Sequence, residues 1–229
     1  MKAAKLERVL EPEVMDSPEE ARDYDAMDHS LVNRAFVADF LAVWTGDNPL
    51  LDAGTGTALI PIELCRQAAN ARIVAVDMAQ NMIRLGEDNV RQAGFADRLT
   101  LACCDAKHLP HADAAFAAVI SNSIVHHIPD PLDALREMSR VLKPGGLLFI
   151  RDLLRPADQE TLAHLVTTYA GDANAHQRQM FADSLHAALS LAEVRHMVAR
   201  LGYDPVTVRQ TTDRHWTWQT HKGRVIRSL

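Results

Sequence analysis

The chain has 229 residues, 48% apolar and 24% charged, with ten glycines and ten prolines. That is enough to bury a sizeable core in one large domain, and it is not the composition of a disordered chain. Its 24 Lys and Arg against 30 Asp and Glu give a formal net charge of −6, which disfavours a general nucleic-acid binder without excluding a specific one.

Residues 1–48 carry 5 basic and 11 acidic groups and read as an acidic helical cap. The charges at Lys2, Lys5, Glu7 and Arg8 leave no uncharged stretch for a secretory signal. Leu50-Leu51 opens an apolar strand that ends in Asp52-Ala53-Gly54-Thr55-Gly56. A helix is expected over 57–69, with Pro61 in its first turn, where a missing N–H costs little. Residues 71–77 (ARIVAVD) form a second strand, 79–93 a helix stopped by Gly94, 99–104 a third strand and 116–121 (FAAVIS) a fourth. Asp130-Pro131 then reads as an N-cap with proline at the first helical position. Leu132, Leu135, Met138 and Leu142 make that helix's apolar stripe, Lys143-Pro144-Gly145-Gly146 ends it, and 147–150 (LLFI) is a fifth strand. Two helices are expected within 156–189. Ser190 and Glu193 form a capping box for a helix ending at Gly202, and 206–220 reads as a hairpin. No apolar run reaches the roughly 18 residues of a membrane span.

Strands apolar on both faces and alternating with helices imply a parallel sheet covered on both sides. Right-handed crossovers make that an α/β, doubly wound fold. The chain reads as a single domain: a helical cap over 1–48, a ligand-binding core over 49–155, a helical lid inserted after strand five over 156–189, and a last helix with C-terminal hairpin over 190–229.

The strongest chemical signal is the glycine turn at the carboxyl end of the first strand, where a ligand can approach bare backbone. Asp77 ends the next strand 21 residues beyond Gly56, placed to accept hydrogen bonds from a ribose diol. A dinucleotide fingerprint needs a third glycine where this chain has Leu59, so NAD fits poorly and a nucleotide without a pyrophosphate fits better.

With these features in register, the sequence resembles the class I S-adenosylmethionine-dependent methyltransferases, in the branch of ubiquinone/menaquinone C-methyltransferases and small-molecule methyltransferases. The resemblance rests on LLDAGTG, on Asp77, on Asp105-Ala106, on Ser121 to Asp130 (SNSIVHHIPD) and on Leu135 to Gly146 (LREMSRVLKPGG). It implies a seven-stranded, mostly parallel Rossmann-like sheet of order 3-2-1-4-5-7-6 with strand seven antiparallel. It implies S-adenosylmethionine as cofactor and S-adenosylhomocysteine as product. By position, Asp52, Ala53, Gly54, Thr55 and Gly56 would line the methionine end of that cofactor. Asp77 would hold the ribose, Met78 would pack on the adenine, Asp105 and Ala106 would meet the adenine edge, and Asn122 would lie beside the sulfonium. Thr57 stands where many relatives have glycine.

Methyl transfer is an in-line displacement with a good neutral leaving group, so positioning and desolvation supply much of the rate. A base is needed only for a poorly ionised acceptor. The catalytic candidates are His126, His127 and Asp152. The candidates for substrate contact are Tyr24 and His29 in the cap, in a mixed cluster with Asp25, Met27, Asp28 and Asn33, and Arg151 at the end of strand five. No metal is expected: Cys103 and Cys104 are neighbours on a strand and point to opposite faces, which does not make a shared site with His108 and His111. Three cysteines with no framework suit a reducing cytoplasm.

The leading reading is a cytoplasmic small-molecule methyltransferase, monomer or homodimer. An RNA methyltransferase stays open through the basic C-terminus (Arg209, Arg214, Lys222, Arg224, Arg227). So do a non-catalytic S-adenosylmethionine-binding module and a nicotinamide-dependent oxidoreductase.

Overall fold

The structure is a computed structural model and describes residues 5–11, 16–27 and 29–223. Among them are eight α-helices and seven strands: α1 (Pro18–Asp25), α2 (Ser30–Leu41), β1 (Leu50–Ala53), α3 (Leu59–Gln67), β2 (Ile73–Asp77), α4 (Gln80–Ala93), β3 (Leu99–Cys103), β4 (Phe116–Asn122), α5 (Leu132–Val141), β5 (Leu142–Leu153), α6 (Gln159–Ala170), α7 (Ala175–Ala187), α8 (Leu191–Arg200), β6 (Val208–Gln210) and β7 (His215–His221). The strands form one sheet in the order β3-β2-β1-β4-β5-β7-β6. β1 runs parallel to β2 and to β4, β2 runs parallel to β3, and β6 is antiparallel to β7. This is the doubly wound, mostly parallel sheet expected from the alternation of apolar strands and amphipathic helices.

The chain divides into two compact units. The core unit comprises residues 14–122, 133–150 and 219–229; the flanking unit comprises 1–13, 123–132 and 151–218.

In the core unit, Leu50, Ile73, Ala75, Ala118, Ile120, Leu147 and Phe149 from the strands pack with Phe36, Val37 and Phe40 of α2 and with Ile62, Leu64 and Cys65 of α3. Phe149 meets Phe36 and Phe40 edge-on, with ring centroids 5.3 and 5.8 Å apart, a preferred aromatic geometry. The Arg98 guanidinium donates to the carbonyls of Cys65, Ala68, Ala69 and Ala71. It thereby closes the end of α3 and delays the start of β2 to Ile73, two residues later than the sequence suggests. Arg140 of α5 forks onto both oxygens of Glu137, each at 2.7 Å, and reaches Asp113 and the carbonyls of Leu109 and His111. That bidentate arrangement pins the loop before β4.

The run Lys143-Pro144-Gly145-Gly146 corrects an expectation. The helix does end before it, at Val141, but the run is not a break between helix and strand: β5 already begins at Leu142, five residues before the expected start at Leu147. Gly145 N–H donates to the Lys222 carbonyl and Lys222 N–H donates to that of Gly146. The Lys222 ammonium caps the carbonyls of Ser139, Arg140 and Leu142. A tertiary strand partner thus recruits residues whose local chemistry signals a break.

In the flanking unit, Leu6, Leu153, Leu162, Leu165, Leu185 and Ala188 form a separate small core. Here α6 is capped by Asp158, α7 by an Asn174–Gln177 box and α8 by the expected Ser190–Glu193 box. Trp216 and Trp218 are fully buried, as sheet packing and not an exposed stacking surface. Residues 5–11 are not helical; they run as an extended strap. Leu6 N–H donates to the Ala157 carbonyl and Val9 N–H to that of His186. The Arg8 guanidinium holds the carbonyls of His126, Ile128, Pro129 and Ala187. Asp28, Arg224 and Arg227 lie outside the described residues.

Candidate active site: a glycine loop and a histidine–carboxylate cluster

The glycine loop follows β1. Gly54 and Thr55 N–H both donate to the Val76 carbonyl, tying the loop to β2. Gly54 and Gly56 have φ of 77° and 56°, a region that favours glycine. A Cβ on Gly56 would stand 3.5 Å from the Tyr24 ring. Asp77 serves the loop directly: one carboxylate oxygen accepts Gly56 N–H at 2.8 Å and the other accepts Ala79 N–H at 2.9 Å, at the start of α4. Asp77 therefore shapes the loop and caps the start of α4. α4 presses on the loop because Gly86 has no side chain; a Cβ there would lie 2.7 Å from Leu101 Cδ2 and 3.2 Å from the Thr57 carbonyl carbon.

Tyr24, Asn33, Asp52, Gly54, Thr55, Thr57, Leu59, Ile60 and Asn122 line a polar cavity of about 20 Å³. Asp52 Oδ2 and the hydroxyls of Thr55 and Thr57 are buried without a hydrogen-bond partner, an arrangement that costs free energy unless a ligand or water answers it. Burial, with Asp77 near, pushes the Asp52 carboxyl up to about 7, against the opposing pull of the Thr55 hydroxyl beside it. Burial and the same two carboxylates push the Tyr24 phenol up to about 12. The Tyr24 and His29 rings lie tilted against one another, centroids 4.8 Å apart. Asn89 ties Asp25 of α1 to the Thr57 carbonyl.

The carboxyl ends of β2 and β3 carry the next group. Met78 is 45% exposed. Cys104 N–H donates to the Asp77 carbonyl, setting Asp105 beside it. Asp105 accepts Lys107 N–H at 2.8 Å and faces the Lys107 ammonium at 3.6 Å; Ala106 is buried.

The flanking unit holds a separate cluster. His126 and His127 lie on a 3-10 turn, Val125–His127. Asp152 accepts Val125 N–H at 2.5 Å and His126 N–H at 3.3 Å through one oxygen, while the other lies 2.5 Å from His126 Nδ1. Glu11 of the strap lies 3.5 Å from His126 Nε2 and 3.0 Å from His127 Nδ1. Burial pulls the His126 pKa down, but Asp152 and Glu11 outweigh it and leave it raised. Burial pushes Asp152 up, and His126 with the backbone amides outweighs that and leaves it lowered. Arg151, also buried, donates to the Thr217 hydroxyl at 3.0 Å.

Comparison with known proteins decides the family resemblance. Residues 51–150 match the family described as a methyltransferase domain. Over 185 residues, 79% of the chain, the protein is 29% identical to 27-O-demethylrifamycin SV methyltransferase of Amycolatopsis mediterranei, covering 64% of that protein. It is 33% identical over 114 residues, 49% of the chain, to the ubiquinone/menaquinone biosynthesis C-methyltransferase UbiE of Geobacter sulfurreducens, covering 44% of it. The chain thus spans about half to two thirds of these relatives' length. A putative S-adenosylmethionine-dependent methyltransferase from Methanococcus maripaludis has the same fold, with a TM-score of 0.67 at 17% identity, over 96% of this chain and 99% of that one. The chain resembles the class I S-adenosylmethionine-dependent methyltransferases of the ubiquinone/menaquinone type.

The methyltransferase cofactor suits the cavity's chemistry. Its methionine end carries an ammonium and a carboxylate; Asp52 offers an unpartnered acceptor, and Thr55 and Thr57 offer unpartnered hydroxyls. The structure gathers Tyr24, Asp52, Gly54, Thr55 and Asn122 around one cavity, with Gly56 against Tyr24. It gathers His126, His127 and Asp152 in the other unit. Sequence reading missed Glu11. Nothing local marks Glu11: it belongs to the cluster only because the strap is docked.

Proposed function

We propose that this protein transfers a methyl group from S-adenosylmethionine to a small-molecule acceptor. The observation that carries the reading is the trio of buried, unpartnered polar groups on Asp52, Thr55 and Thr57 around the glycine loop. When bound, the cofactor supplies an electrophilic methyl group on a sulfonium with a neutral leaving group. Asp52 binds the ammonium, Thr55 and Thr57 orient the carboxylate, Asp77 holds the ribose, and Met78, Asp105 and Ala106 receive the adenine. Asn122 lies by the sulfonium.

A cavity of about 20 Å³ holds little more than one water. Tyr24 of α1 lies against Gly56 of the loop, and a ring closed over bound cofactor excludes water, which strengthens every polar contact inside. Tyr24 and His29 of the core unit then bound the acceptor side, and Arg151 of the flanking unit is a separate candidate for substrate contact. Both ring nitrogens of His126 face carboxylates, so that cluster holds a proton more readily than it accepts one. Proton removal by His126, His127 and Asp152 becomes relevant only for an acceptor that is poorly ionised.

Two observations favour a small molecule over RNA. Of the basic C-terminal groups, Lys222 is spent on three carbonyls. Arg214 lies over the Tyr169 ring, 3.4 Å from its centroid, and pairs with Asp213. Among the described residues, no helix is long and apolar enough to cross a membrane. A cytosolic setting fits the three free cysteines.

The test is methyl-labelled S-adenosylmethionine with cell extract separated into metabolite, RNA and protein fractions, beside Asp77→Ala. Label in metabolites that Asp77→Ala abolishes supports the proposal. Label in RNA alone, or none despite cofactor binding, overturns it.

A further inference from the structure

We propose that Glu11, His126 and His127 form a binding site for one divalent transition-metal ion of the zinc class, with Asp152 as the outer partner that orients His126. The proposal stands on the flanking unit alone and does not depend on the methyltransferase reading.

Three observations carry it. First, the donor atoms converge. Glu11 Oε1 lies 3.0 Å from His127 Nδ1 and 3.5 Å from His126 Nε2, and the ligating atoms of all three residues lie within 4.8 Å of one another. Zinc bonds of about 2.0–2.2 Å place adjacent ligand atoms roughly 3 to 3.5 Å apart, so only a small closure between the two imidazoles separates this arrangement from a coordination shell.

Second, the outer shell is already built. His126 turns Nε2 toward Glu11 because Nδ1 is held by Asp152 at 2.5 Å, and Asp152 is fixed in turn by Val125, His126 and Leu153 N–H. A carboxylate on the far nitrogen is the usual support of a metal-bound imidazole: it sets the tautomer and raises ligand basicity.

Third, the site is buried and electrostatically suited to a cation. The His126 side chain is 4% exposed, Glu11 14% and His127 21%. With neutral imidazoles the cluster presents two carboxylates, Glu11 and Asp152, beside the Arg8 guanidinium. The strap that brings Glu11 is anchored by Arg8 on the carbonyls of His126, Ile128, Pro129 and Ala187, so Glu11 is delivered to the histidines and not left on a loose end. Two imidazoles and one carboxylate suit borderline ions such as Zn²⁺ and Co²⁺. Three protein donors leave coordination positions for water or for an oxygen donor on a ligand.

The experiment uses the full chain without an affinity tag, stripped with a chelator and titrated with Co²⁺. Visible ligand-field absorption follows binding, Zn²⁺ is the competitor, and melting temperature is recorded with and without Zn²⁺. The expected result is a saturable band at one Co²⁺ per chain that Zn²⁺ displaces, and a melting temperature raised by Zn²⁺. Glu11→Gln and His127→Gln should each lose the band or weaken binding at least about tenfold, and Asp152→Asn should weaken it by about tenfold. His176→Ala, on the exposed face of α7, should leave it unchanged. If His127→Gln fails to fold, Glu11→Gln carries the test, because it changes only the charge of a strap residue. Absence of a saturable band, or a band that survives both Glu11→Gln and His127→Gln, overturns the proposal.

Discussion

The two polar centres of this molecule are built on opposite principles. In the core unit, Asp52, Thr55 and Thr57 are buried with polar atoms unpartnered, and the Asp52 carboxyl is raised to about 7 by burial. In the flanking unit, Asp152 is as deeply buried, yet it has amide donors and an imidazole and its pKa is lowered. The same side chain, equally removed from water, is therefore a destabilised group awaiting a cation in one place and a satisfied anchor in the other. Unmet hydrogen-bonding capacity marks where a ligand is to bind; fully met capacity marks what holds the fold, or a metal, in place.

The largest effect should come from breaking the satisfied centre. Asp152→Ala leaves the His126 ring and three backbone amides buried without their acceptor, and should cost about 3–5 kcal/mol of stability. Urea denaturation reads this directly, and a loss below about 1 kcal/mol would mean that Asp152 is not the anchor described.

His215 gives a pH test in the same unit. Burial, with Arg214 and Arg151 close by, lowers its pKa to about 4, against the opposing pull of Asp152 and Asp213. A histidine whose folded pKa lies below its unfolded value loses stability as pH falls from the unfolded value toward the folded one. Between about pH 7.5 and about pH 5 the expected loss is about 2 kcal/mol. His215→Gln, which keeps a polar partner for Thr212, should remove that share of the pH dependence; identical slopes for variant and wild type would refute it.

The unsatisfied centre should show its pH dependence in binding. Its carboxylate must be ionised to receive an ammonium, so cofactor affinity should fall as pH drops below about 7, by up to about tenfold per pH unit. Asp52→Asn should bind roughly 10- to 100-fold more weakly and with a flat profile. Calorimetry with S-adenosylhomocysteine checks both, and a flat wild-type profile would show that Asp52 does not meet the ammonium.

The smallest effect lies outside both centres. Ala114 has φ 55°, a conformation that favours glycine, so Ala114→Gly should stabilise by about 0.5–1 kcal/mol. An unchanged or lower melting temperature would contradict this.

Much of this protein was legible in the chain itself. The glycine turn, the acid at the end of β2, the helix stop at Gly94 (φ 78°) and the Ser190–Glu193 box are local devices, because backbone freedom and capping act within a few residues. Apolar runs interrupted by amphipathic helices were enough for the parallel sheet. Three things needed tertiary structure. Lys143 to Gly146 became strand because Lys222 arrived from the far end of the chain to pair with it. Glu11 became part of the histidine cluster because Arg8 fastens the strap over 100 residues away in sequence. Asp52 and Asp152 read alike as carboxylates near strand ends, and only the count of donors around each decides which one is left wanting a partner. Local chemistry sets what a segment prefers; long-range hydrogen bonds and burial decide which preference is honoured and which polar group is left for a ligand.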